Sequence, residues 1–287
     1  DKLLIAANGA YGERMGDIAK HAGLRFEITN QHYSEIIDAK KIEEILKQDT
    51  GVTHVSMVHS ETTSGILNDI EAVGKVVKAQ NRVFVVDAMS SFGGVDIPMK
   101  DWGIDFLISS ANKCIQGVPG FSYIIARKDL LIASAGKARS LSLDLYEQWK
   151  TMEVDGKWRF TSPTHVVLAF YQAMKELKEE GGIRARSRRY RENNELLIEK
   201  MGQLGMKPYI DGAYQGPIIT TFFYPENCHF KFEEMYHYIK ERGYAIYPGK
   251  VTEAETFRVG NIGEIYKEDI LKLSEIMKAF LEEYNHE

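Results

Sequence analysis

Two residues, Asp87 and Lys113, stand where apolar runs give way to polar residues, and they lie 26 positions apart. Val83, Phe84, Val85 and Val86 lead into Asp87; Phe106, Leu107 and Ile108 lead through Ser109, Ser110, Ala111 and Asn112 into Lys113. Short continuous apolar runs fit strands buried on both faces, as in a parallel sheet covered by helices. Ligands of open α/β sheets bind just outside the carboxyl ends of the strands, so an acid and an amine at two such ends can face one pocket. Pyridoxal 5'-phosphate chemistry uses this pair. The lysine forms a Schiff base with the aldehyde, and the carboxylate keeps the pyridine nitrogen protonated so that the ring withdraws electrons. By position alone, a lysine after a strand is more often a solvated surface charge, and an aspartate a turn or helix-cap residue.

Arg258, within Phe257-Arg258-Val259-Gly260-Asn261-Ile262-Gly263, is a third candidate. A planar guanidinium grips two oxygens of a carboxylate or phosphonate at once, which a lysine does not reproduce. The competing role is a salt-bridged arginine on the surface of a small sheet. A metal centre is not expected. The eight histidines contain no HExxH, His59 and Glu61 alone are no ligand set, and the two cysteines, Cys114 and Cys228, have neither CxxC spacing nor a disulfide framework around them.

The chain of 287 residues, 44% hydrophobic and 27% charged, has the composition of a globular protein with room for one large domain or a large and a small one. A net charge of -5 argues against a nucleic-acid partner, and the basic cluster Arg184, Arg186, Arg188, Arg189 and Arg191 reads as a solvated helix face. No apolar run reaches the roughly eighteen residues of a membrane span and no secretory signal opens the sequence, so a cytoplasmic chain without membrane contact is expected.

The elements that must position these residues follow from periodicity and punctuation. The pattern predicts a strand over 2–7, a glycine-bearing turn at Asn8-Gly9-Ala10-Tyr11-Gly12, a helix over 13–22, a strand over 27–34 and a helix over 38–47. A strand over 52–58 runs into the hydroxyl-rich His59-Ser60-Glu61-Thr62-Thr63-Ser64-Gly65, and a helix over 69–79 returns the chain to the Val83 strand. This βαβ order implies a parallel sheet. Beyond the strand at 121–126, residues 140–147 and 157–164 read as a long irregular passage. Helices follow over 166–180 and 183–204, then strands over 217–224, 244–247 and 256–259 with helices over 232–242 and 267–284.

The segments VVDAMSSFGG and SSANKCIQGVPG resemble the cofactor-aspartate and Schiff-base-lysine segments of the class V, fold-type I aminotransferases, and HSETTSG, RSLSLDLYEQW, GKWRFTSPTH, YPGK and FRVGNIGE continue the likeness along the chain. The resemblance implies a pyridoxal phosphate enzyme with a mostly parallel large-domain sheet flanked by helices, its 121–126 strand antiparallel, and a smaller α+β C-terminal domain. The corresponding boundaries are a cofactor-binding domain over 1–182, a connecting helix over 183–204 and a small domain over 205–287. It further implies Lys113 as the catalytic and cofactor-bearing lysine, Asp87 at the pyridine nitrogen, Tyr11 stacked on the ring, Thr62 at its edge, and Arg258 on the substrate anion. Thr161 would reach a partner subunit's cofactor phosphate across a homodimer interface. The implied substrates are 2-aminoethylphosphonate and pyruvate, with alanine:glyoxylate or serine:pyruvate exchange as the alternative. Family members carry a preceding segment whose glycine- and serine-rich helix entry cradles the cofactor phosphate. The sequence opens directly in a strand, so weak cofactor binding, or a catalytically weak chain, is a further expectation.

Overall fold

Lys2–Ala7 forms β1, and α1 (Ala10–His21), β2 (Phe26–Asn30), α2 (Ala39–Gln48) and β3 (Val52–Val58) follow. A short hairpin, β4 (Ser60–Glu61) and β5 (Ile66–Leu67), precedes α3 (Ile70–Ala79), β6 (Val83–Asp87), β7 (Phe106–Ser110) and β8 (Ser122–Ala126). Next come α4 (Lys128–Ala133), α5 (Leu145–Asp155), α6 (Thr164–Glu179) and α7 (Gly182–Gln203). The chain ends with β9 (Ile219–Phe223), α8 (Phe232–Glu241), β10 (Tyr247–Pro248), β11 (Thr256–Gly260) and α9 (Lys267–Tyr284). This computed structural model describes residues 1–226, 230–251 and 253–284; Cys228 lies outside them.

The main sheet has the order β2-β1-β3-β6-β7-β8, with β8 antiparallel to β7 and every other neighbouring pair parallel. Its core joins Leu4, Val55, Met57, Phe84, Val86 and Leu107 of the strands to Ile42 and Leu46 of α2 and Val73 and Val77 of α3. Asp38 and Asp69 cap α2 and α3 by accepting from the Lys40 and Ala72 N–H groups, which fixes where each connection turns back to the sheet. A second core surrounds the antiparallel sheet β10-β11-β9, where Phe222 and Phe257 pack on Met235 and Ile239 of α8 and on Ile276, Met277 and Phe280 of α9. Leu197 and Met201, in the last turns of α7, belong to this second core.

Several expectations need correction. Helix α1 begins at Ala10, so Tyr11 is helical rather than part of the preceding turn. The end of the passage expected to be irregular over 140–147 opens α5, which continues between the two stretches; its Asp144 cap accepts from the Glu147 N–H and its stop is a left-handed Gly156. Its face buries no side chain, so no apolar stripe announced it. The strand expected over 244–247 reduces to Tyr247–Pro248, because Gly243, at φ 90°, turns the chain after α8 and only the last residues pair with β11.

The basic cluster on α7 is not simply a solvated face. Arg186 is 2% exposed, pairs with Glu180 at 2.7 Å, and donates through Nη1 to the Cys114 and Ile115 carbonyls at 2.9 and 3.2 Å. Arg189 binds Glu180 at 2.8 Å and the Gly263 and Ile265 carbonyls. These long side chains find fixed acceptors on the turn after β7 and on the segment after β11, and that outweighs their desolvation.

Candidate active site

The pleat of β6 and β7 places the acid and the amine side by side. Asp87 closes β6 opposite Ile108, and β7 ends two residues later, before the 111–116 turn that carries the half-buried Lys113. That turn is held from behind by the Arg186 contacts to Cys114 and Ile115 and by Gln116, which sits at φ 66° and donates its N–H to the Lys113 carbonyl. Asp87 Oδ1 accepts from the Met89 N–H at 2.8 Å. Burial, with Glu61 adding to it, pushes the Asp87 carboxyl above its usual range against the opposing pull of the Met89 N–H and Lys113. Among the described residues no cation sits within ion-pair distance of it. Beside it His59 Nδ1 meets Ser91 Oγ at 2.9 Å, and burial lowers the imidazole to about 3, which keeps it neutral.

Glu61, which sequence reasoning did not select, builds the neighbouring wall. Its fully buried carboxylate accepts from the Tyr11 and Gly12 N–H groups through Oε2 at 3.1 and 3.2 Å, and from Thr63 N–H and Oγ1 through Oε1 at 3.1 and 2.7 Å. It thereby does for α1 what a capping side chain does, from about fifty positions away. The N-cap itself is Gly9, which makes no side-chain cap and has no room for one, since a Cβ there would lie 2.3 Å from Glu61 Cγ. The available signal was an α/β helix start with no capping side chain of its own. The anion-favouring end of α1 is therefore already filled by the protein's own acid.

Tyr11 projects beside this cap. Burial raises its phenol, yet Thr62 and the Lys250 ammonium, with Lys113 further off, outweigh burial and bring it below its usual value. Arg14 and Lys250 lie 5.0 and 5.1 Å from the centre of its ring. Arg258, on the central strand of the small sheet, is 6% exposed, donates through Nε to the Pro248 carbonyl at 3.0 Å and through Nη1 to the Thr62 carbonyl at 2.9 Å. Burial lowers its guanidinium below the usual range, while Tyr11, Tyr247 and Glu61 resist that shift. The structure thus brings Asp87, Lys113, Tyr11, Thr62 and Arg258 to one region. Thr161 is not among them. It is exposed before α6 and makes no hydrogen bond with the described residues, although its passage is tied to the 140–147 loop by Arg159 Nη1 donating to the Leu141 carbonyl at 2.7 Å.

A cavity of about 600 Å3 lined by Lys113, Gln116, Glu176 and Glu264 opens beside the lysine. A larger one, about 830 Å3, lies among Leu3, His54, Val83 and Phe106 at the amino ends of the strands, the end of a parallel sheet that does not bind ligands. Among the described residues no cluster of His, Cys, Asp or Glu could hold a metal, and no helix is long and apolar enough to cross a membrane. The side chains present do fit pyridoxal phosphate. Among the described residues an amine without an acid partner, a half-buried carboxylate without a cation, an aromatic ring and a hydroxyl lie near the strand ends, a set suited to an aldehyde-bearing, protonated aromatic ring.

A six-stranded α/β sheet with this lysine–carboxylate pair defines the fold-type I class of pyridoxal phosphate enzymes. Solved structures agree on the fold: ureidoglycine-glyoxylate aminotransferase from Bacillus subtilis superposes with a TM-score of 0.89, covering 99% of this chain and 74% of that one at 22% identity. Pyridoxamine-pyruvate aminotransferase from Mesorhizobium loti gives 0.89, 99%, 74% and 22% for the same quantities. The family model for aminotransferase class-V matches residues 1–264, and the chain belongs to that family. The 2-aminoethylphosphonate--pyruvate transaminase of Lysinibacillus sphaericus (strain C3-41) is 51% identical over 287 residues, 100% of this chain and 78% of that protein. That of Bacillus cereus (strain G9842) is 52% identical over 273 residues, 95% and 74%. The bifunctional phosphonoacetaldehyde hydrolase/aminoethylphosphonate transaminase of Clostridioides difficile (strain 630) is 51% identical over 98% of this chain, which spans only 44% of that longer protein.

Proposed function

We propose that the protein transfers the amino group of 2-aminoethylphosphonate to pyruvate, giving phosphonoacetaldehyde and alanine. The single observation that carries the reading is that Asp87 and Lys113, at the carboxyl ends of β6 and β7, and Arg258, which reaches the Thr62 carbonyl from the small sheet, have no opposite charge paired to them among the described residues. The names of the relatives at 51% and 52% identity supply the substrate. Bound pyridoxal phosphate supplies an aldehyde for the amine and a ring that withdraws electrons from the substrate carbon. Lys113 would hold that aldehyde, and its amine would move a proton off the substrate carbon and back as general base and acid. Asp87 would keep the ring nitrogen protonated by a charge-assisted hydrogen bond, strengthened by its partial burial. Tyr11 and Thr62 would help to hold the ring, and Arg258 would grip the substrate anion.

In this reading residues 1–182 bind the cofactor, 183–204 link, and 205–287 carry the substrate arginine; the two separate hydrophobic cores support that division. A homodimer brings Thr161 to the partner subunit's cofactor phosphate. In its support, Leu141, Leu143, Val154, Phe160, Leu168 and Tyr171 are exposed large apolar side chains along the stretch of chain that includes Thr161. A cytoplasmic location accords with Cys114 held as a free, buried thiol.

Borohydride reduction of the pyridoxal phosphate-loaded protein, followed by peptide mapping, is expected to place the pyridoxyl group on Lys113, with turnover of 2-aminoethylphosphonate and pyruvate. A label on Lys137 or Lys250 overturns the assignment of the lysine. Turnover of alanine with glyoxylate, and none of the phosphonate, moves the substrate to the ordinary amino acids.

A further inference from the structure

We propose that Lys250 acts with Arg258 as a two-cation receptor for the phosphonate of the amino donor, and that this second cation sets a preference for phosphonate over carboxylate. The inference rests on the functional reading above and concerns a residue that reading leaves without a role. Both cations come from one hairpin of the small sheet. Arg258 on β11 holds the Pro248 carbonyl at the end of β10, and Lys250 follows two residues later. The hairpin is closed by the Gly249 N–H donating to the Thr256 carbonyl at 2.9 Å, and a Cβ at Gly249 would lie 2.2 Å from Thr256 Oγ1, so only glycine lets the strands meet there. From this base Lys250 Nζ reaches 5.1 Å from the centre of the Tyr11 ring, while Arg258 Nη1 binds the carbonyl of Thr62, the residue against the Tyr11 hydroxyl.

Neither cation pairs with an acid among the described residues. The acid near Arg258, Glu61, accepts from four donors and is fully buried. Two neighbouring unneutralised cations repel each other and call for an anion of matching charge. A carboxylate offers one charge and two oxygens, which one guanidinium fork satisfies. A phosphonate offers up to two charges and three oxygens, and its third oxygen needs a point donor such as an ammonium. Arg258 has already committed two donors to backbone carbonyls, which fixes its plane and leaves its remaining N–H groups for the ligand. Lys250 is exposed, and Tyr11 holds its ammonium near the site, through the ring face and the hydroxyl, without an acid to neutralise it among the described residues.

The test compares the holoenzyme with its Lys250→Met and Lys250→Arg variants. Steady-state kinetics are measured with 2-aminoethylphosphonate, calorimetric binding with ethylphosphonate and with propionate, and pyridoxal phosphate affinity by titration. Lys250→Met is expected to raise KM about tenfold or more with kcat within about twofold, and to weaken ethylphosphonate to the same extent. Propionate binding and cofactor affinity stay within about twofold, and Lys250→Arg restores most of the phosphonate binding. Equal losses for both anions, or no loss, overturn the receptor; a loss confined to cofactor affinity also overturns it and assigns Lys250 to the cofactor phosphate. A wild-type enzyme that neither binds ethylphosphonate nor turns over the phosphonate amine instead defeats the functional reading itself.

Discussion

Glu61→Ala tests whether an acid fifty residues away caps α1 and so fixes Tyr11. The side chain accepts from the second and third helical N–H groups, Tyr11 and Gly12, and losing such a cap costs about 1–2 kcal/mol. It also leaves the Thr63 N–H and hydroxyl without their shared acceptor in a wall that excludes water, a further loss of about 1–3 kcal/mol. Together about 2–5 kcal/mol of stability disappears, to be read from urea unfolding of the cofactor-free protein. Glu61→Gln keeps the shape but turns an amide NH2 toward one pair of donors, so roughly half that loss is expected. The assay gains a signature from Gly9. In the parent, Gly9→Ser collides with Glu61, whereas in the Glu61→Ala background the space opens and a serine at the N-cap recovers about 1 kcal/mol. A Glu61→Ala protein within about 0.5 kcal/mol of the parent refutes the capping argument, because surface-like changes stay in that range.

Two further outcomes follow from the same charges. Asp87→Asn removes a carboxylate whose proton affinity burial has raised, so the cofactor-free chain gains stability above the ordinary carboxylate pKa, where the parent must bury a charge, while turnover of the loaded enzyme falls roughly a hundredfold or more; unchanged turnover reduces Asp87 to a turn residue. His59, lowered to about 3 when folded, takes up its proton only in the unfolded chain between its ordinary value and 3, so its contribution is full above the ordinary value and lost as pH falls through that window, with a slope approaching about 1.4 kcal/mol per pH unit. His59→Gln flattens that slope in acid-range urea titrations, and an unflattened curve removes His59 as its source.

The acid and the lysine were legible because each closes an apolar run, and the order of those runs along the chain implies adjacent parallel strands. The pairing of Asp87 with Ile108 is that adjacency. Arg258 was legible only through the likeness of FRVGNIGE, since a strand arginine has no local sign of whether an acid will meet it. Glu61 and Arg186 were missed for a shared reason. What makes them consequential is contact with backbone donors and carbonyls about fifty and about seventy positions away, and no local periodicity encodes that. Arg186 was read as solvated because it lies in a helix dense with charge, where outward-facing arginines are the rule. A polar residue becomes buried when fixed backbone groups await it, and those groups are visible only once the turn after β7 has formed.

The distribution of charge pairing carries the functional argument beyond the resemblance. Away from the strand ends, many charges near one another find opposite partners: Lys2 with Glu27 and Asp49, Arg127 with Asp105 and Asp129, Arg186 with Glu180. At the strand ends the opposite holds. Among the described residues the half-buried Asp87 has no cation paired with it and the buried Arg258 no acid, although Glu61 lies close enough to influence both. Folding alone gives no reason to leave them so, because an uncompensated buried charge destabilises the native state. Under the proposed function, a ligand would bring a cationic ring nitrogen to Asp87 and an anion to Arg258 and make the arrangement favourable. On that proposal a zwitterionic substrate and a protonated pyridine would complete the charge pattern that the chain itself leaves open, releasing binding energy where proton transfer has to occur.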